Sequence, residues 1–394
     1  MKKKKLRAGI IGSRFAASFH AEALKRVYGV EAELVGVYSP TEESRRRFAE
    51  AHGVKAFSSA DDLIDAADVV HVCSPPETHE ELTVKALEAG KHPVVEKPFT
   101  GFFGRGIDNF SGATFPREAG LSGAVESIRR MLEAERKSEA KILYAENWVY
   151  APAVRKEREV LEKTGGQILW IHGEESHSGS HAKYYGTWRF SGGGSLIGKG
   201  CHPLTAALYL KRVEGRVRDG SPIRPASVSG RMHRITQLPG FRDEGYLRKD
   251  YEDVEDFASA HVTFEDGTVA DIFSCELVLG GVHNWLEVNA NNHRAICNIN
   301  PTNAFSTYNP KEENFRDIYV VEKIGTKQGW APTSPDEDWF TGYQHEMEAF
   351  YRAAAYGEQV ESDSALAADT IAVIYAAYLS DEKGGAVVEV PRIG

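Results

Sequence analysis

Apolar residues in the first third of the chain come in short bursts separated by amphipathic stretches. Leu6 to Ile11, Glu33 to Tyr38, Asp68 to Cys73 and Pro93 to Val95 read as buried strands. Between them, a segment running to about Tyr28, then Thr41 to His52 and Thr78 to Ala89, have the length and mixed polarity of helices. Thr41 stands in the capping position of its helix, with Glu42 and Glu43 in the first turn. Strands alternating with helices of about a dozen residues predict βαβ units and a parallel sheet. Further along, a flexible Ser191 to Gly194 loop leads into the apolar, helical Leu204 to Leu210.

A chain of 394 residues is too long for one compact core, which predicts two domains, divided here as 1–150 and 151–394. The net charge of −10 argues against a nucleic-acid partner. Cys73, Cys201, Cys275 and Cys297 are far apart and lack metal-ligand spacing, so they read as free thiols in a reducing compartment. Met1 to Lys5 imitates the start of a signal peptide, but Arg7 and Arg14 break up the apolar run behind it. No run approaches the roughly 18 apolar residues of a membrane span. The expectation is a cytoplasmic protein without a membrane or metal partner.

The chemistry gathers at the strand ends. Gly12-Ser13-Arg14-Phe15-Ala16-Ala17 comes after the first strand and opens the first helix, a degraded dinucleotide fingerprint. Gly12 supplies the tight turn and Ala17 the close helix–strand packing. Arg14 either approaches a pyrophosphate or points to solvent. The second strand ends at Tyr38-Ser39-Pro40 without the acidic residue that holds a ribose diol, and Ser39 suits a hydroxyl or a phosphate. The cofactor is read as NAD, with NADP as the alternative. At the fourth strand, Glu96-Lys97-Pro98 delivers an ammonium to the mouth of the sheet, where ligands bind. Lys97 there either polarises or deprotonates a substrate hydroxyl, and the bond to Pro98 is a candidate for the cis form.

These features together resemble the Gfo/Idh/MocA family of glucose–fructose oxidoreductase and inositol dehydrogenase. The resemblance is carried by Gly9-Ile10-Ile11-Gly12, Ser74-Pro75-Pro76-Glu77-Thr78-His79, Glu96-Lys97-Pro98, Glu146-Asn147-Trp148 and Gly192-Gly193-Gly194-Ser195-Leu196 with His202. It implies an α/β protein with an N-terminal Rossmann domain and a C-terminal α/β domain built on a large, mostly antiparallel sheet. It also implies a small-molecule carbohydrate substrate and a homo-oligomer, a dimer or tetramer. Gly12, Ser13, Arg14, Phe15, Ser39, Ser74, Pro75, His79, Glu96, Lys97, Asn147 and Trp188 are the expected cofactor contacts. Lys97 and His202 are the expected catalytic pair, with His202 as base and Lys97 as electrostatic partner, or the reverse. His202 near a helix start should have a depressed pKa.

Three departures from the family pattern stand out. The aspartate found four residues before the histidine in many relatives is Gly198 here, so the carboxylate that would orient the base is missing. Gly101 to Gly120 is an insertion carrying Phe102, Phe103, Phe110 and Phe115, readable as a lid, a wall or an oligomer contact. His172, His177 and His181 cluster before Arg189, and read as a polar rim rather than a metal site. Lys97, His177, His181, Arg189, Lys199 and His202 form the expected substrate pocket. Its cations suit an anionic sugar, unless Arg189 and Lys199 pair with carboxylates such as Glu174 and Glu175. The leading function is an NAD(P)-dependent oxidoreductase acting on a sugar or glycoside hydroxyl. The alternative is an NAD-dependent glycosidase of the sulfoquinovosidase kind, working by oxidation at carbon 3, elimination, hydration and re-reduction. A cofactor-binding regulator is the third reading, and retention of Lys97 and His202 speaks against it.

Overall fold

The computed structural model describes residues 3–180, 182–300, 305–334 and 336–393. The alternation read from the sequence becomes β1 (Lys5–Ile11), α1 (Phe15–Leu24), β2 (Glu31–Tyr38), α2 (Glu42–His52), β3 (Lys55–Ala56), α3 (Ala60–Ala66), β4 (Val69–Val72), α4 (His79–Glu88), β5 (His92–Glu96), α5 (Arg117–Lys137) and β6 (Leu143–Ala145). The strands form one parallel sheet in the order β3-β2-β1-β4-β5-β6. The chain reverses its winding between β1 and β4, and a crevice for a ligand opens at the carboxyl ends there. Thr41 occupies the cap of α2 as expected, but its side chain makes no capping hydrogen bond.

The second unit continues as α6 (Pro152–Thr164), β7 (Ile168–Ser176), α7 (Trp188–Ser191), α8 (Cys201–Asp219), β8 (Pro225–His233), β9 (Phe257–Phe264), β10 (Val269–Cys275), β11 (His283–Ala290) and β12 (Arg294–Asn298). A small hairpin of β13 (Ser306–Asn309) and β14 (Gly329–Pro332) precedes α9 (Glu337–Phe340), α10 (Tyr343–Tyr356), α11 (Ser364–Glu382) and β15 (Val388–Glu389). Seven of these strands pair as β12-β11-β7-β10-β9-β8-β15. Only the β7–β10 pair is parallel, so the sheet is mixed and mostly antiparallel.

Alternation along β7 decides which of its side chains can reach the site. Ile171, Gly173 and Glu175 are buried on one face, while Trp170, His172 and Glu174 lie on the other. The buried face is covered by α8 and α11. Every residue of α11 from Leu366 to Ser380 is buried, as expected for a helix that is apolar all round. It packs against β8 and α8 of the second unit and α5 of the first, so a single apolar core runs through both.

The insertion is part of that core. It has no regular structure before α5, and Phe102, Phe110 and Phe115 form a ring cluster that Trp188 joins at 4.9 Å from Phe115. The Phe102 amide donates to the Tyr375 hydroxyl at 2.6 Å, and that hydroxyl donates to the Gly192 carbonyl at 2.7 Å. These contacts fix the segment against α11 and Trp188.

Candidate active site

The crevice is built from the carboxyl ends of parallel strands. Gly12 has φ +118°, and a Cβ there would run into the Cys73 carbonyl, so only glycine completes this turn. Directly after it, α1 begins with Arg14 in the capping position and no side chain bonded to the first turn. Its free N–H groups and positive dipole end suit a pyrophosphate. Ser13 Oγ lies 2.7 Å from Ser44 Oγ, and Arg14 and Phe15 are exposed beside it. Ser39 is buried at the end of β2, its carbonyl accepting from Arg45 at 3.2 Å. These residues fit a dinucleotide.

The far side of the crevice is held by hydrogen bonds. Ser74 Oγ lies 2.6 Å from Thr78 Oγ1, next to Pro75. His79 is fully enclosed, 2.9 Å from the Ser74 carbonyl and 2.8 Å from the Pro98 carbonyl, and so ties the two loops together. Glu96 accepts from His20 Nε2 at 2.9 Å and from the Lys97 amide at 3.0 Å. Burial pushes its carboxyl up, but His20, Lys97 and His202 outweigh this and its pKa is lowered. Asn147 donates to the Thr341 carbonyl at 2.7 Å.

Lys97 leaves the end of β5 through a cis bond to Pro98. Its Nζ donates to the Gly198 carbonyl at 2.8 Å and sits 5.8 Å from the centre of the Tyr185 ring. Burial disfavours the ammonium, but Tyr185, Cys201, Glu175 and Glu96 more than offset it and raise the pKa. The net direction favours the ammonium form of Lys97. A cation at this place is suited to stabilising a developing alkoxide.

His202 is clamped from both sides. Its Nδ1 lies 2.5 Å from Glu146 Oε1, and its ring stacks on Trp148 at 5.9 Å and 16°. A carboxylate at Nδ1 fixes the hydrogen there and leaves Nε2 as the acceptor. Glu146 stands just beyond β6, so the carboxylate missing at position 198 is supplied from the other sheet. A Cβ at Gly198 would touch only the Tyr185 ring, at 3.6 Å. The expected dipole effect on His202 does not prevail. A π-helical turn at Leu196–Gly200 runs straight into α8, so the helical start lies before the histidine. Burial lowers the His202 pKa, but Glu146 and Glu175 outweigh it and the net direction is up.

The remaining expected contacts scatter. Trp188 is buried against the insertion, its Nε1 donating to the Phe102 carbonyl at 2.9 Å, rather than lining the crevice. Arg189 donates to the Ile107 carbonyl at 3.0 Å and lies 5.3 Å over Phe110. Its partners are backbone carbonyls of the insertion, not Glu174 or Glu175. His177 is buried at the end of β7, and its Nδ1 accepts from the Gly179 amide at 3.1 Å. His172 packs between Phe273 and Trp285 on the opposite sheet face, so the two histidines do not converge. His181 lies outside the described residues. Glu146, Cys201 and His202 bring one ligand-type atom each within 4.8 Å of one another; the Glu146–His202 hydrogen bond joins two of them, and Cys201 is the chain neighbour of His202.

Lys199 is buried in an ion pair with Glu276, also buried, with Ser180 Oγ at 3.3 Å. Removing one partner of such a pair leaves an uncompensated buried charge. Lys199→Ala should therefore lose about 3–5 kcal/mol of stability in urea unfolding, and Lys199→Met combined with Glu276→Leu should recover most of it. A single variant as stable as the parent would show that the pair is not carrying that charge balance.

Sequence reading left Glu146, Glu175, Tyr185 and Glu255 unassigned. Glu255 anchors the glycine-rich loop, accepting from the Gly194 and Leu196 amides at 3.0 Å each and from Tyr378 at 2.8 Å. Its burial pushes its pKa up to about 7. The available signal for Glu146 and Glu175 was their place at or just beyond the carboxyl end of an apolar strand, the same position that singled out Glu96.

Two family models match the chain. Residues 6–103 match the oxidoreductase family with NAD-binding Rossmann fold, and residues 154–295 match the GFO/IDH/MocA C-terminal domain. The chain belongs to the Gfo/Idh/MocA family. Its first domain is an NAD-binding Rossmann domain. Among curated relatives, glucose-6-phosphate 3-dehydrogenase of Bacillus subtilis is 41% identical over 90 residues, 23% of this chain and 25% of that protein. UDP-N-acetylglucosamine 3-dehydrogenase of Acidithiobacillus ferrooxidans is 34% identical over 95 residues, 24% and 29% respectively. The matches thus span about a quarter of these relatives. Among solved structures, GenD2 from gentamicin A biosynthesis in complex with NAD covers 99% of this chain and 97% of its own, with TM-score 0.78 and 20% identity. Scyllo-inositol dehydrogenase from Lactobacillus casei with NAD(H) and scyllo-inositol covers 98% and 99%, with TM-score 0.71 and 18% identity. These likenesses establish the shared fold. No helix among the described residues is long and apolar enough to cross a membrane.

Proposed function

We propose that this member of the family is an NAD-dependent dehydrogenase that oxidises a sugar or glycoside hydroxyl, with an acidic sugar as its preferred substrate. NADP is the alternative cofactor, since Ser39 stands at the end of β2 in place of a carboxylate. The reading is carried by one arrangement: a lysine held cationic and a histidine whose Nδ1 is fixed by Glu146, both facing one crevice. Nicotinamide, when bound, would supply the hydride acceptor. His202 Nε2 takes the hydroxyl proton before or as the hydride leaves, and Lys97 steadies the negative charge that develops on oxygen.

Support for an acidic sugar comes from two sides. The named substrates of the two curated relatives both carry phosphate, and both relatives are named as 3-dehydrogenases. On this chain's side, the Lys97 ammonium stands at the crevice, its Nζ donating to the Gly198 carbonyl at 2.8 Å, where it can also attract an acidic group of the substrate. Trp170 and Ile296 are exposed on the outer face of the second sheet and favour a homo-oligomer built on that face. The glycosidase reading keeps one specific support, the second buried carboxyl, Glu175, beside His202. Elimination and hydration need more proton transfers than hydride transfer alone.

The test is purified protein with NAD+ and, in turn, glucose 6-phosphate, UDP-N-acetylglucosamine, myo-inositol, glucuronic acid and an aryl glucuronide. NADH formed in step with an oxidised sugar is the expected result. Cleavage of the aryl glycoside without added NAD+, with deuterium from solvent entering at carbon 2, would replace the dehydrogenase by the glycosidase. Phosphorylated and uronic substrates should outpace myo-inositol, and the reverse order removes the acidic preference.

A further inference from the structure

Beside His202 stands a second titratable group that hydride transfer, as assigned to His202 and Lys97, does not use. Glu175 projects from the buried face of β7, with Ser274 of β10 and Asn284 of β11 as its neighbours across the strands. The residue is 8% exposed. Its Oε2 has no hydrogen-bond partner among the described residues. A buried acceptor left without a donor is unfavourable, so a donor is expected to arrive with the ligand. That oxygen lies 3.8 Å from His202 Nε2, the nitrogen turned away from Glu146. The gap is too wide for a hydrogen bond. An oxygen atom placed about 2.8 Å from each would bridge it.

We propose that Glu175 is a catalytic residue that faces the reacting hydroxyl together with His202 and shares the proton leaving it. The proposal deepens the dehydrogenase reading and rests on it for the identity of the reacting atom. As the C–H bond breaks, its electron pair leaves with the hydride for NAD+. The O–H bond breaks at the same site, its electron pair becomes the second bond of the carbonyl, and the proton enters the His202–Glu175 pair. The groups that interact with that pair are Glu146 beyond β6, Glu96 at the end of β5 with Lys97 after it, Lys199 in the π-helical turn and Cys201 at the start of α8. Burial raises the Glu175 pKa further than His202, Lys97 and Lys199 lower it, so this carboxyl takes a proton more readily than one in water. Two groups this close titrate as a pair, and their pKa values belong to both.

The test uses the full-length protein with NAD+ bound and the variants Glu175→Gln and Glu175→Asp. Calorimetry should give NAD+ affinities within about twofold of the parent, and Glu175→Gln should lower kcat by about 10²-fold or more with KM little changed. Removing an anion beside His202 lowers its pKa, so the acid limb of the kcat profile should move to lower pH. The His202 ring resonance, assigned with His202→Asn, should titrate about one unit lower in Glu175→Gln. Glu175→Asp, which keeps a carboxyl, should recover at least about tenfold of the lost rate. The proposal is overturned by near-parental kcat in Glu175→Gln, by equal losses in both variants, or by loss of NAD+ binding in both, which would assign Glu175 to the fold. If the parent oxidises none of the sugars, the dehydrogenase reading fails. The resonance then decides alone, and an unshifted His202 titration overturns the pairing of Glu175 with it.

Discussion

Lys97→Ala is expected to lower kcat by about 10²–10⁴ while NAD+ affinity stays close to that of the parent. The ammonium is held beside the crevice by the Gly198 carbonyl at 2.8 Å, and the net direction of its pKa is up, which favours the charged form. Its loss removes charge stabilisation that exists only as the alkoxide develops, so the effect falls on kcat and kcat/KM together, not on KM. Steady-state kinetics on the best sugar, with calorimetric NAD+ binding alongside, measures both halves. Turnover near the parental rate would take Lys97 out of the chemistry.

Glu146→Gln is the second large effect, with kcat reduced by about 10²–10⁴ in an otherwise folded protein. The carboxylate at 2.5 Å holds the Nδ1 hydrogen and keeps Nε2 open to receive a proton. A glutamine can turn its amide donor toward Nδ1, which moves the ring hydrogen to Nε2 and blocks the base. The anion raises the His202 pKa, so the parent should lose activity as pH falls through that raised value, and the residual activity of the variant should fall off at lower pH. The pH profile of kcat, with near-UV circular dichroism to verify the fold, separates this from misfolding. An unchanged acid limb would mean that Glu146 does not set the titration of the base.

The first sheet was readable because its strands are short, apolar and separated by helices of ordinary length. Leu6 to Ile11 became β1 with one residue added, and Pro93 to Val95 became β5 with one added at each end. The two-residue β3 and the seven-residue α3 were passed over, since neither is long enough to leave a period. The second sheet entered only through family resemblance. Among site residues, Lys97 and His202 could be placed because each lies in a motif with a fixed position on the fold. Glu146 could not be given its role, since the pairing joins the end of β6 to the start of α8 across the crevice. The same reason explains Lys199 and Arg189. A sequence displays a cation but not its partner, and here the partners are Glu276 and the carbonyls of the insertion.

The contacts of Tyr375 and Tyr378 have a consequence for how the protein comes into being on the ribosome. Through these two side chains α11 grips Phe102 and Gly192 and, at Glu255, the anchor of the glycine-rich loop. Lys97, five residues before Phe102, and His202, ten after Gly192, therefore acquire their final separation only when residues 364–382 have left the exit tunnel. The helices of the first sheet also pack on late elements, α1 on α10 and α5 on α11. The expected consequence is a site that reaches its final geometry late in synthesis, once the last long helix has docked.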